Sequence, residues 1–166
     1  MYSPEHLLNS MRHETQILKH LHSKLSAEQL DYRPAEGMRT TLELLRYLSY
    51  CGIATAEALV TGDWEKYHAR AAAAEDLASD AFPAAADRQI AELETLVENL
   101  SAQDLAREVD TPGGGSGPLG VALINHPSRY LATYRMQLFV YAKASGCFEL
   151  STVNNWGGRD DPRQES

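Results

Sequence analysis

The chain has 166 residues, of which 43% are hydrophobic and 23% are charged. This length and composition fit one globular domain with a substantial core. The net charge of −8 disfavours a nucleic-acid-binding protein and a protein that binds anionic membranes, because both surfaces repel an acidic chain.

The first predicted helix runs from Pro4 to about Leu25. Its apolar residues recur at helical spacing and form one stripe, which comprises Leu7, Met11, Leu18, Leu21 and Leu25. Glu14 lies in the middle of this stripe and is its only charge. His6, His13 and His20 recur every seven residues at the edge of the stripe. We expect these histidines to face solvent.

The second predicted helix begins near Thr40 or Thr41, after turn signals in 26–38, and ends at Gly62. Thr40 and Glu43 have the spacing of a capping box. The inward face comprises Leu44, Leu48, Cys51, Thr55 and Ala58, with Tyr47 at its edge. Segment 64–79 is alanine-rich and predicted to be partly helical, without a clear register.

The third helix is predicted to begin near Pro83, because proline suits the first turn of a helix. Its buried side comprises Ile90, Leu93, Val97 and Leu100. A short extended piece is predicted at 105–109, followed by a flexible glycine-rich loop at 111–118. The loop lacks the lysine and the preceding strand of a phosphate-binding P-loop.

The fourth helix is predicted over 118–145, and Pro127 is expected to kink it or to mark its true start. These four amphipathic segments predict an all-α fold, a four-helix bundle with long loops. The predicted domain is 1–166, with a core at about 4–146 and an irregular tail at 147–166.

Two short segments carry the most information. The first is Glu43-Leu44-Leu45-Arg46-Tyr47 on the second helix, and the second is Tyr130-Leu-Ala-Thr-Tyr134-Arg135-Met-Gln137 on the fourth. Tyr130 and Tyr134 are four residues apart and therefore share one helix face.

These segments resemble those of the DinB/YfiT-like family of bacterial four-helix proteins. In that family an E-L-L-x-H segment on the second helix supplies one metal-binding histidine, and an H-x-x-x-H-R-G-Q segment on the fourth supplies two. Here Tyr47, Tyr130 and Tyr134 stand at the three histidine positions. The resemblance implies metal-dependent hydrolase or thiol S-transferase chemistry, a divalent metal such as zinc or nickel, and a homodimer.

Phenols are poor substitutes for those histidines. Deprotonating one tyrosine at pH 7 costs about 4 kcal/mol, because its pKa lies about three units higher. A neutral imidazole binds zinc without that cost. We therefore predict no metal and no other cofactor at this position.

What remains is a predicted pocket lined by three hydroxyl groups. We expect Glu14 to form a fourth polar wall, His126 to lie at the mouth, and Gln137 to lie near the Tyr134 face. Two interpretations stay open, a site for a small polar ligand and a hydrogen-bonded Tyr–Glu cluster that fills the cavity.

The sequence leaves three functions open, and it assigns no catalytic residue with certainty to any of them. The first is a non-catalytic or small-ligand-binding bundle. The second is an enzyme, either a metal-dependent hydrolase or thiol S-transferase that uses His126 and Glu14, or a metal-free enzyme with a tyrosine acid and Glu14 as base. The third is a purely structural protein.

The cysteines and the chain termini indicate the compartment. Cys51 and Cys147 do not make a disulfide framework, so we expect reduced thiols. Cys51 is predicted to be a buried apolar residue, and Cys147 is predicted to be exposed. The apolar runs are too short to span a membrane, and the N-terminal residues carry no apolar signal segment. A cytoplasmic location is therefore expected.

Overall fold

A computed structural model describes residues 3–164. The ends of the predicted domain and tail, residues 1–2 and 165–166, lie outside the described residues. The α-helices are α1 (Pro4–His22), α2 (Thr41–Leu48), α3 (Cys51–Thr61), α4 (Glu65–Ala73), α5 (Phe82–Glu98), α6 (Ala102–Ala106), α7 (Leu119–Leu123), α8 (Arg129–Ala144) and α9 (Thr152–Gly157). Strands β1 (Glu108–Asp110) and β2 (Ser116–Pro118) form an antiparallel hairpin.

The predicted all-α fold is confirmed. Helix α1, the pair α2–α3, helix α5 and the pair α7–α8 enclose one core, while α4 packs beside α3 and α9 packs on α1 and α8. The fully buried leucines of this core include Leu21, Leu44, Leu48, Leu119, Leu131 and Leu138. Within residues 3–164, no helix has both the length and the apolar character needed to cross a membrane.

The second predicted helix is interrupted, which corrects the sequence prediction. The buried Gln89 side chain of α5 inserts at the break: its Nε2 donates to the Leu48 carbonyl at 2.8 Å, and its Oε1 accepts from the Gly52 backbone N–H at 2.8 Å. The same oxygen accepts from the Ile53 backbone N–H at 3.2 Å. These bonds satisfy backbone groups that an uninterrupted helix would pair internally.

The fourth predicted helix changes its winding around Pro127. Residues Ile124–Ser128 form a π-helical turn between α7 and α8. Proline lacks a backbone N–H and disturbs the α-helical pattern at this point. The wider turn keeps the chain helical through Pro127, so the helix continues into α8 with a shifted register.

The tail is more ordered than expected, because α9 docks on the bundle. His13 Nε2 donates to the Trp156 carbonyl at 2.9 Å, and Asn154 Nδ2 donates to His20 Nε2 at 3.1 Å. His13 is exposed, as predicted, and makes its bond at the surface. His20 is mostly shielded from solvent, so the prediction that it faces solvent is wrong. Gly158 ends α9 with a φ of +59°, a conformation that favours glycine.

The two cysteines are both buried. Cys147 was expected to be exposed, but it lies under the end of α8, where its Sγ donates to the Lys24 carbonyl at 3.2 Å. Gln29 Nε2 donates to the same sulfur at 3.1 Å. Cys51 is fully buried in the core, and burial raises the pKa of its thiol to about 12. A thiol with this pKa is a poor nucleophile.

Candidate functional site

The three tyrosines singled out from the sequence lie side by side. The rings of Tyr47 on α2 and Tyr134 on α8 meet edge to face, with centroids 4.8 Å apart. Tyr130 lies one helical turn from Tyr134, with centroids 6.4 Å apart. Tyr47 is 8% exposed, and the other two tyrosines are partly buried. We call these three residues the tyrosine cluster.

A guanidinium group covers the cluster. Arg39, in the loop before α2, places its Cζ 4.2 Å from the centroid of the Tyr47 ring and 5.9 Å from that of Tyr134. Both distances are typical of cation–π contacts. Arg39 was not among the residues singled out from the sequence.

Further aromatic rings extend the cluster toward the surface. Tyr50 meets Tyr47 edge to face at 5.6 Å, and Tyr67 of α4 meets Tyr50 at 5.9 Å. A groove of about 280 Å³ opens beside these rings. Its lining comprises Arg39, Glu43, Arg46, Tyr47, Tyr50, Ala71, Ala74 and Glu75.

Burial keeps these phenols neutral. Desolvation raises the pKa of Tyr47 far above its ordinary value, and the neighbouring Cys51, Tyr67 and Tyr134 add to the effect. Desolvation also raises the pKa of Tyr50 to about 12 and moves that of Tyr130 upward. The phenols of Tyr47, Tyr50 and Tyr130 therefore can both donate and accept a hydrogen bond at neutral pH.

This set of donors is a poor fit to the divalent metal that the resemblance implies. Zinc takes nitrogen, sulfur and carboxylate ligands, whereas the cluster offers three phenol oxygens and lies beneath a cation. Within the described part of the chain, no three His, Cys, Asp or Glu side chains come together as a possible metal site.

Glu14 pairs with an arginine, and within residues 3–164 no hydrogen bond joins it to a phenol of the cluster. Its Oε2 accepts from Arg135 Nε at 2.7 Å, and the Glu14 and Arg135 side chains are only 14% and 3% exposed. Arg135 also donates through Nη1 to the Asn155 side chain at 2.7 Å and to its carbonyl at 3.0 Å. Because a buried guanidinium needs a counter-charge, Glu14 serves Arg135 and not the tyrosine cluster.

The two remaining sequence candidates differ in their relation to the cluster. Gln137 Nε2 donates to the buried Tyr141 hydroxyl at 2.6 Å, one turn along α8. Gln137 was expected near the Tyr134 face, but its hydrogen bond is instead made within α8 to a phenol outside the cluster. His126, in the π-helical turn, places Nδ1 3.5 Å from the Tyr130 hydroxyl, so it lies at the Tyr130 end.

Comparison with known proteins decides the family. The sequence matches the DinB superfamily over residues 11–124, which is more than half of the chain. The chain belongs to the DinB superfamily. Among curated proteins, none matches the sequence significantly.

Solved structures of DinB-like proteins have the same fold. One from Bacillus subtilis has a TM-score of 0.65 and 19% identity, and the match covers 84% of this chain and 91% of that one. Another from Bacillus cereus has a TM-score of 0.64 and 17% identity, with coverage of 86% and 92%.

An enzyme also shares the fold. The mycothiol-dependent maleylpyruvate isomerase has a TM-score of 0.57 and 21% identity, and the match covers 87% of this chain and 61% of that one. The likeness at this identity is one of fold alone.

Sequence reasoning missed three residues of the site, Arg39, Tyr50 and Tyr67. Tyr67 lies in the alanine-rich segment whose register was unclear, and Arg39 lies in a loop without periodicity. The signal that was available is compositional: eight tyrosines in 166 residues, several of them close to the second predicted helix.

Proposed function

We propose that this DinB superfamily protein binds a small polar ligand at the tyrosine cluster without a divalent metal. The observation that carries the proposal is the convergence of Tyr47, Tyr130 and Tyr134 in one cluster, of which Tyr47 lines a groove of about 280 Å³. Tyr47 and Tyr50 line the groove together with charged side chains such as Arg39. A cleft that combines aromatic rings with a few polar groups is a usual form of small-molecule site.

The phenols suit this role because they stay neutral. Three hydroxyl groups can donate to or accept from a ligand and change partners freely. Binding a divalent cation would instead require phenolates, and burial opposes their formation at Tyr47 and Tyr130. The family's metal chemistry is therefore absent under this proposal.

The alternative, a metal-dependent hydrolase or thiol S-transferase, has less support. It requires His126 and Glu14 at one site, and the metal-free version requires Glu14 beside a tyrosine of the cluster. The Glu14 carboxylate is already bonded to Arg135, away from the cluster. The fold shared with a mycothiol-dependent isomerase leaves thiol chemistry as the second candidate.

We also propose that the chain forms a homodimer. Met136 and Val140 lie one turn apart on α8 and expose 38% and 51% of their surface. Pairing of two such faces would remove this apolar surface from water. Sedimentation velocity measures the assembly, and a pure monomer at all concentrations contradicts it.

Elemental analysis combined with native mass spectrometry tests the proposed function. Protein made without a His tag and isolated gently from cells is expected to contain no stoichiometric transition metal. Native spectra are expected to show a bound small molecule that Tyr47→Phe weakens and that Tyr32→Phe, outside the cluster, leaves unchanged. One metal per chain, lost on His126→Ala, would overturn the proposal in favour of the enzyme.

A further inference from the structure

The charge of the site differs from what the sequence predicted. Glu14, expected as its carboxylate wall, is held by Arg135 through a 2.7 Å bond. Arg39 instead stands over the tyrosine cluster, with its Cζ 4.2 Å from the Tyr47 ring centroid. The charged side chain that stands over the rings is therefore a cation, although the chain as a whole has a net charge of −8.

The geometry of Arg39 leaves its donors available. A guanidinium stacked on a ring uses its face for that contact, while its five N–H bonds point outward in its plane. Within residues 3–164, no hydrogen bond or close ion pair engages these N–H groups. Arg39 is exposed to solvent, so a ligand can reach this edge.

Glu43, one of the two acidic residues that line the groove, is bonded to other groups. Glu43 accepts from the Thr40 backbone N–H at 2.6 Å and from Arg33 at 3.2 Å. The pKa of Glu43 is lowered mainly by Thr40, with Arg33 and Arg39 contributing. The other acidic residue, Glu75, is exposed, and Arg46 lies in the same groove.

We propose that the tyrosine cluster and Arg39 together bind a small planar carboxylate, with Arg39 as the residue that selects the anion. The inference rests on the proposed function. The carboxylate would accept two parallel N–H bonds from Arg39, the geometry that a guanidinium favours. The planar body of the ligand would pack against Tyr47 and Tyr50, which line the groove with Arg39, and phenol hydroxyl groups would donate to the remaining carboxylate lone pairs.

Calorimetric titration with benzoate and with its neutral analogue benzamide tests this inference. The parent protein is expected to bind benzoate more tightly than benzamide. Arg39→Gln is expected to weaken benzoate binding roughly tenfold or more, the size of a charge-assisted hydrogen bond. Arg159→Gln is the matched control, because Arg159 is also exposed but, within residues 3–164, neither lines the groove nor stacks on a ring of the cluster. It is expected to change affinity less than about twofold.

Each result has a distinct meaning. Benzamide binding equal to that of benzoate, or an Arg39→Gln variant that binds benzoate like the parent, overturns the anion inference but leaves the proposed ligand site intact. Inorganic phosphate is an anion but has no planar ring. Tighter binding of phosphate than of benzoate would overturn the inference that the ligand is planar. Absence of benzoate binding to the parent also overturns the inference. A stoichiometric metal in the parent overturns the proposed function itself.

Discussion

At the scale of single residues, the buried ion pair Glu14–Arg135 organises one side of the bundle. It joins α1 to α8, and through Asn155 it also holds α9. The Arg135 guanidinium stacks on Trp156, with Cζ 4.9 Å from the ring centroid. The pair is far more shielded from water than the ion pairs on the surface, so its removal affects stability more strongly.

Glu14→Ala is expected to lower the free energy of unfolding by about 3 kcal/mol, because it leaves a buried guanidinium without its counter-charge. Asp87→Ala is the control, since it removes a surface ion pair with Lys19, and it is expected to cost less than about 1 kcal/mol. Urea denaturation measures both. Equal losses for the two variants would contradict the role assigned to Glu14.

Three buried or partly buried phenols, two in the cluster and one beside it, predict how stability depends on pH. The pKa of Tyr47, Tyr50 and Tyr130 is raised in the folded chain, so the folded state holds these protons more tightly than the unfolded state. Their contribution is complete below the unfolded pKa of about 10 and is lost progressively above it.

Alkaline titration is therefore expected to show late phenolate absorbance coupled to unfolding. Tyr47→Phe keeps the ring and removes one titrating group, so its stability should fall less steeply above pH of about 10. Phenolate formation by all eight tyrosines near the ordinary pKa, without unfolding, would be incompatible with a buried cluster.

At the scale of elements, one glutamine explains why a continuous helix pattern yields two helices. The segment from Thr41 to Thr61 has helical periodicity throughout, so the sequence predicts one continuous helix there. The break depends on the buried Gln89 of α5, which is distant in sequence from the residues it bonds. The periodicity of residues within one segment carries no information about a side chain that a distant segment, here α5, inserts between them.

Gln89→Leu is expected to lower the free energy of unfolding by more than about 2 kcal/mol, because several buried backbone groups lose their partner. Gln16→Leu, the same change on the exposed face of α1, is expected to change it by less than about 0.5 kcal/mol. Thermal or urea unfolding compares the two variants. A small effect of Gln89→Leu would show that water or the backbone satisfies the break.

The end of α9 allows a matched comparison of two glycines. Gly158 and Gly62 both have positive φ, but a Cβ at Gly158 would lie 3.2 Å from the Ile17 Cα, whereas at Gly62 nothing lies within 4 Å. Gly62→Ala is expected to cost about 1 kcal/mol from the backbone alone. Gly158→Ala should cost more and displace α9.

Fluorescence of Trp156 reports that displacement, because Trp156 stacks on Arg135. The Gly158→Ala variant should shift its emission, and Gly62→Ala should not. Equal emission shifts in the two variants would contradict the tight docking of α9 on the bundle.

At the scale of the whole molecule, much of the fold was predictable. Apolar spacing located α1, α5 and α8, and the capping box of Thr40 located the start of α2. The i, i+4 spacing put Tyr130 and Tyr134 on one face, and the family resemblance placed Tyr47 opposite them.

The surroundings of the tyrosines were not predictable in the same way. Periodicity places Glu14 on the inner face of α1 but does not say whether α8 offers it a phenol or a guanidinium. Arg39 lies in a loop, where no period constrains its direction. Both depend on how separate segments meet, which is a property of tertiary packing.

Our central claim is that Tyr47, Tyr130 and Tyr134 stand where the family resemblance leads us to expect three metal-binding histidines. Zinc titration of the Tyr47→His, Tyr130→His, Tyr134→His triple variant tests it most directly. The control triple has Lys66, Asp87 and Gln103, three exposed residues on different helices, changed to histidine. We expect the first variant to bind one zinc per chain tightly, and the parent and the control triple to bind it only weakly. A parent that binds zinc as tightly as the first triple variant, or a triple variant no better than its parent, would contradict the account.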